Sequence, residues 1–232
     1  MSPPERPVEA VLLDAYGTMV TLEPPAPALA RLLAEEGFPH PEAAVGTAIR
    51  AEILFYRANH DLGRDAASLA DLRRRCAAVV ARHLGGPLPP LDRLAELLVA
   101  SLRFVLLPDA LPALDALRAA GLRLAVVSNW DCSLPEELAR LGILDRFEVT
   151  GISAIVGSRK PSPGLFHHVL GELGLPPEAV VHCGDRPDLD CLGARQAGVA
   201  AVLIDREGAL GDGPCPRIGA LTELAALLEP RR

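Results

Sequence analysis

The stretch VEAVLLDAYGT, residues 8–18, decides how the rest of the chain reads. Val8 to Leu13 is apolar but for Glu9, it ends in an acid at Asp14, and a turn follows at Tyr16-Gly17-Thr18. A strand covered by helices on both faces has this form, because it needs apolar side chains on both sides rather than in alternation. Toward the C-terminus the same form recurs. LRLAVVSN (122–129) predicts a strand ending at Ser128, FEVTG (147–151) a short strand, AVVHCGD (179–185) a strand ending at Asp185, and VAAVLID (199–205) another. Helical patterns separate them: DALPALDALRAAG (109–121), LPEELARLG (134–142), PGLFHHVLGELG (163–174), LDCLGARQAG (189–198) and ALTELAALLE (220–229). Glycines at 121, 142 and 198 close three of these, and Pro163 stands near the first turn of a fourth. Strand and helix alternating at this spacing predict an α/β fold, a Rossmann-like doubly wound parallel sheet.

Between the first strand and the rest the pattern differs. LEPPAP (22–27) reads as a linker. Residues 28–37, 44–60, 68–86 and 91–102 repeat apolar residues at three- and four-residue steps and predict four helices with no strand among them. Residues 1–21 with 105–232 are therefore expected to form the α/β core, and residues 22–104 an inserted all-helical domain.

Composition agrees and narrows the function. Hydrophobic residues are 50% of the 232 but aromatics only 3%, so the core must be Leu, Val and Ala. The formal charge is −7 with no basic run, which argues against nucleic acid. No apolar run approaches the roughly 18 residues of a membrane span, and the polar, Pro-rich start has no signal-peptide form. The five cysteines show no CxxC pairing; ordinary thiols in a cytoplasmic protein are expected. Lys160 is the single lysine in a chain otherwise rich in arginine. A site that admits a compact ammonium but not a planar guanidinium would account for it.

In an open parallel sheet, ligands bind beyond the carboxyl ends of the strands. The polar residues there are Asp14 and Thr18 after the first strand, Ser128 and Asn129 after the second, and Asp185 after the fourth, with Lys160 in a loop before a helix. A carboxylate, hydroxyls, a cation and further acids suit displacement at phosphorus or carbon through an aspartyl intermediate.

Asp14-Ala15-Tyr16-Gly17-Thr18 resembles motif I of the haloacid dehalogenase superfamily. Ser128 resembles motif II, Lys160 within RKPSP motif III, and Gly184-Asp185 with Asp190 the motif IV pattern GDxxxxD. The four occur in family order over nearly the whole chain, with the helical insert in the place of a C1-type cap. The resemblance implies a hydrolase with Asp14 as nucleophile, oriented by Lys160. Ser128 and neighbouring amides would bind the oxygens of the transferring group, and Thr18 would assist. Asp14, the main-chain carbonyl of Tyr16, Asp185 and Asp190 would hold Mg²⁺. Two carboxylates about 4 Å apart repel by roughly 4 kcal/mol at an effective dielectric near 20, and one lysine cannot neutralise three acids; a divalent cation would resolve this. The expected partner is a small anionic molecule, with Asn129, Trp130 and Arg50 as further binding candidates. Tyr16 departs from the phosphatase pattern, which has a second Asp acting as general acid and base there. DAYGT resembles instead the motif of 2-haloacid dehalogenases, which use no metal and generally lack the Gly-Asp of motif IV. Asp185 beside a substrate carboxylate would repel it without a cation, so a Mg²⁺-dependent phosphatase acting on a small phosphorylated metabolite is the leading expectation, with a metal-free dehalogenase and a catalytically weak binding protein of the same fold as alternatives. His182 is expected to be a packed core residue, and Cys183 and Cys191 inert buried thiols.

Overall fold

The computed structural model describes residues 8–211 and 213–228. The polar start (residues 1–7) and Glu229 of the expected last helix lie outside them. The chain divides into two units, Met1–Thr21 with Leu106–Arg232, and Leu22–Val105.

The first unit is built on a six-stranded parallel sheet: β1 (Ala10–Leu13), β4 (Arg123–Ser128), β5 (Val149–Ile152), β6 (Val180–Gly184), β7 (Ala200–Ile204) and β8 (Arg217–Ile218). Their spatial order is β5-β4-β1-β6-β7-β8. From β1 the chain first moves outward through β4 and β5, then returns to the other side of β1 for β6 to β8, so the strand order reverses at β1. Every residue of β1 and of β6 is buried, as the unbroken apolar reading requires. The register places Leu13 opposite Val126 on one side and Cys183 on the other. The carboxyl ends of β4, β1 and β6 therefore stand side by side, about 4.8 Å from one strand to the next. Helices α5 (Ala110–Ala119), α6 (Leu134–Arg140), α7 (Ser153–Val156), α8 (Gly164–Leu173) and α9 (Leu192–Gln196) connect the strands, and α10 (Glu223–Leu228) follows the last of them. One core cluster packs Leu165, Phe166 and Val169 of α8 with Ala194 of α9 against Leu12, Val127 and Leu203 of the sheet.

The second unit has four helices, α1 (Pro25–Glu35), α2 (Glu42–Asn59), α3 (Ala66–Leu84) and α4 (Leu91–Ser101). A separate two-stranded sheet pairs β2 (Val20–Leu22) with β3 (Phe104–Leu106).

The structure corrects several local expectations. The LEPPAP stretch is not all linker: Pro25 opens α1, where its missing N–H would have had no partner anyway. α3 begins at Ala66 rather than Ser68, because Asp65 accepts from Ser68 N at 2.9 Å while the Ser68 hydroxyl accepts from Asp65 N at 3.0 Å. The helix expected over 189–198 is a π-helical turn, Pro187–Cys191, followed by α9. The expectation of five ordinary thiols also fails: Cys191 and Cys215 form a disulfide, with Cα atoms 6.2 Å apart. The two are 24 residues apart in sequence, and only the return of the chain through β7 brings them together, which no short spacing could signal.

Candidate active site

Asp14 follows β1 directly, and its N–H donates to Cys183 O at 3.0 Å, which carries the β1–β6 ladder one residue further. The residue is buried, 7% exposed. Oδ1 accepts from Ser128 Oγ, at the end of β4, at 3.0 Å, and from Lys160 Nζ at 2.7 Å. Both donors therefore reach the same oxygen. The Lys160 ammonium, 2% exposed, also donates to Asp190 Oδ1 at 2.6 Å. Burial alone would lower the Lys160 pKa, but Asp14 and Asp190 outweigh it and hold the ammonium charged. Burial opposes charge on Asp190 too, but Lys160 and His182 hold its carboxyl below the usual range. For Asp14 burial prevails, and its carboxyl is pushed up even beside Lys160.

Asp190 lies in the π-helical turn and is 1% exposed. Oδ2 accepts from Arg186 N at 2.9 Å, and Oδ1 meets His182 Nε2 at 2.9 Å as well as Lys160. Asp185, just beyond β6, is less enclosed. Its Oδ1 is buried without a hydrogen-bond partner among the described residues. Burial, then Asp14 and Asp190, push its carboxyl up to about 7.

Two glycines make this crowding possible. Gly17 turns with φ +85°, and a Cβ there would overlap the carboxylate of Asp185. A Cβ on Gly184 would overlap that of Asp190.

The remaining expected residues are placed less uniformly. Asn129 donates from Nδ2 to Lys160 O at 3.0 Å and accepts from Lys160 N at 2.8 Å, so its amide is spent fixing the backbone that carries the ammonium. Thr18 is fully buried, its hydroxyl has no partner among the described residues, and its carbonyl accepts from Arg206 Nη2 at 2.9 Å. Tyr16 is 37% exposed. Trp130 is buried, and its backbone N–H donates to Ser153 Oγ at 3.2 Å. Arg50 is exposed on α2, in the other unit, and donates to Thr47 Oγ1 at 2.8 Å. His182 was not among the candidates, although its ring touches Asp190. The one sequence signal was a polar residue inside an apolar strand.

One oxygen of each of Asp14, Asp185 and Asp190 lies within 4.8 Å of the others. An all-oxygen donor set with a single ammonium, one buried carboxylate oxygen unpartnered and one carboxyl pushed up by burial and by its acidic neighbours fits a hard divalent cation.

A family model for haloacid dehalogenase-like hydrolases matches residues 8–198. The chain belongs to this family. The haloacid dehalogenase-like match spans four of the six strands, β1, β4, β5 and β6, together with Asp14, Ser128, Lys160, Asp185 and Asp190. Among curated relatives, a glyceraldehyde 3-phosphate phosphatase of Methanopyrus kandleri is 42% identical over 43% of this chain and 43% of its own length. A phosphoserine phosphatase of Thermus thermophilus is 41% identical over 45% of this chain and 42% of its own. The matches thus cover less than half of these phosphatases. Among solved structures, a defluorinating L-2-haloacid dehalogenase matches 97% of this chain and 96% of its own, with a TM-score of 0.74 and 26% identity. The family thus brings both chemistries that the sequence suggested, and the fold alone does not choose between them.

Proposed function

We propose that the chain is a Mg²⁺-dependent phosphatase acting on a small, anionic phosphorylated metabolite through an aspartyl phosphate on Asp14. The observation that carries this reading is the cluster of three carboxylates within 4.8 Å around one ammonium. Asp14, Asp185 and the carbonyl of Tyr16 would hold the cation. Asp190 completes the acidic cluster, but its oxygens already serve Lys160, His182 and Arg186 N. When bound, the cation supplies charge screening between the acids and the incoming phosphate.

The chain's own residues do the rest. Ser128 and Lys160 hold Asp14 Oδ1 and so set the direction of the carboxylate. Attack of Asp14 on phosphorus forms the acyl phosphate bond while the ester P–O bond breaks and the leaving oxygen keeps the electron pair. Water then attacks phosphorus and releases Asp14 and inorganic phosphate. Lys160 stays charged throughout and offsets part of the rise that burial imposes on the carboxyl of the nucleophile. Asn129 fixes Lys160 from the backbone side. Trp130, two residues past Ser128, is a candidate contact to substrate.

Tyr16 stands where family phosphatases carry an acid, so protonation of a poor leaving group is weak here. Substrates with good leaving groups, such as acyl and aryl phosphates, are favoured. The purified chain is predicted to release phosphate from para-nitrophenyl phosphate far faster than from an alkyl phosphate, to stop in EDTA and to recover with Mg²⁺. Equal rates on the two esters contradict the leaving-group argument. Tyr16 also carries the second reading, a metal-free 2-haloacid dehalogenase. Halide release from 2-chloropropionate that persists in EDTA, with no phosphate release, would establish it instead.

A further inference from the structure

We infer that His182 is a positioning residue for Lys160, acting through Asp190. It touches neither the nucleophile nor any reacting atom. The inference concerns the geometry of the ammonium and deepens the reading above.

His182 lies inside β6, opposite Leu12 of β1 and Ala201 of β7, so its backbone is fixed by ladders on both sides. The ring is fully buried and meets Phe166 edge-on, with centroids 5.0 Å apart and planes at 89°. One ring nitrogen, Nε2, lies 2.9 Å from Asp190 Oδ1. The other, Nδ1, is buried with no hydrogen-bond partner among the described residues. Those two facts select a tautomer. A proton on Nδ1 would be a buried donor with no acceptor, and a bare Nε2 would face a carboxylate oxygen lone pair to lone pair. The tautomer with its hydrogen on Nε2 avoids both, and Nε2 donates to Asp190.

The consequence reaches Asp14. Lys160 carries its charge on a four-carbon stem with many rotamers, and its ammonium is divided between Asp14 Oδ1 and Asp190 Oδ1. The oxygen that shares the ammonium with Asp14 is the one His182 donates to. The His182 bond therefore fixes the Asp190 carboxylate about its own side-chain torsions. It also takes up part of the negative charge on Oδ1. Without that donor, Asp190 would compete harder for the ammonium, and Lys160 would shift its hold away from the nucleophile. Arg186 N anchors the other oxygen, Oδ2, and leaves Oδ1 dependent on the histidine.

Lys160 is the sole lysine, so lysine labelled with ¹⁵N at its side-chain nitrogen gives one ammonium resonance in the full-length chain. Three variants are compared with the wild type, each checked for cooperative melting. Leucine at 182 removes the donor, glutamine restores an N–H near the Nε2 position, and asparagine is one methylene too short to reach. H182L should shift the ammonium resonance and speed its exchange with water, and H182Q should hold both near wild type. With para-nitrophenyl phosphate, H182L should lose about 10-fold in kcat with KM within about twofold, while H182Q keeps at least about half of kcat. Should H182L fail to fold, H182N takes its place with the same expectations. A folded H182L or H182N with an unmoved ammonium signal overturns the inference, as does an H182Q that behaves like H182L. The resonance is read without turnover. An inactive wild type whose signal still responds to H182L and recovers in H182Q would refute the phosphatase reading and leave the inference standing.

Discussion

At the scale of single residues, Asp185 is the carboxyl most sensitive to what binds beside it. Burial and the two neighbouring acids raise it to about 7, above an unfolded value near 3.9. A carboxyl raised on folding favours the folded state below its unfolded pKa. That contribution is lost as pH climbs through the folded value. In the presence of a chelator, the wild type should therefore melt at progressively lower temperature from pH 5 to pH 8 relative to D185N. Mg²⁺ should return the difference at pH 8 and leave D185N unmoved. Parallel melting profiles for the two proteins would show that Asp185 carries no such strain. Asp14, Ser128, Lys160 and Asp185 were all legible in the sequence, because each is a polar residue where a strand stops or a loop precedes a helix. His182 was not, because a histidine inside an apolar run looks the same whether it is merely packed or paired. Its partner Asp190 lies 8 residues on, within a π-helical turn that no simple periodicity encodes. Asn129 was placed near the site, but its grip on the Lys160 backbone spans 31 residues and is a purely tertiary fact.

At the scale of elements, α2 shows how far helical periodicity can be taken. Its buried side chains are Val45, Ala48, Ile49 and Glu52, a stripe at three- and four-residue steps with an acid at its end. Burial pushes the Glu52 carboxyl up, and the hydrogen bond from Cys76 of α3 only partly offsets it. As with Asp185, the sign of the shift makes the carboxylate unfavourable to folding once pH exceeds the folded value. E52Q is expected to raise the melting temperature at pH 8 by about 3 °C, the effect of roughly 1 kcal/mol in a chain of this size, and to give no gain at pH 4. A lower melting temperature at pH 8 would mean that the charged form is the stabilising one. The existence and order of the helices were readable from apolar spacing. Their starts were less so, because a proline pair opening α1 and an Asp-Ser capping box opening α3 sit outside the apolar pattern.

At the scale of the whole molecule, the parallel sheet and the helical insert were legible because each imposes its own period over many residues. The Cys191–Cys215 disulfide was not. It closes a loop of about 24 residues, which by chain entropy stabilises the fold by about 3 kcal/mol. C215S, or full reduction, should lower the melting temperature by about 6–12 °C, and the oxidised protein should show three free thiols when denatured. Five free thiols would contradict the bridge. Distant segments of the chain bring three acids and one ammonium together, the arrangement proposed above to hold a cation. Calorimetric titration of the metal-free protein with Mg²⁺ at pH 8 tests this most directly. One ion bound per chain, with the binding heat abolished in D185N, is the predicted result; no binding by the wild type, or undiminished binding by D185N, would contradict it.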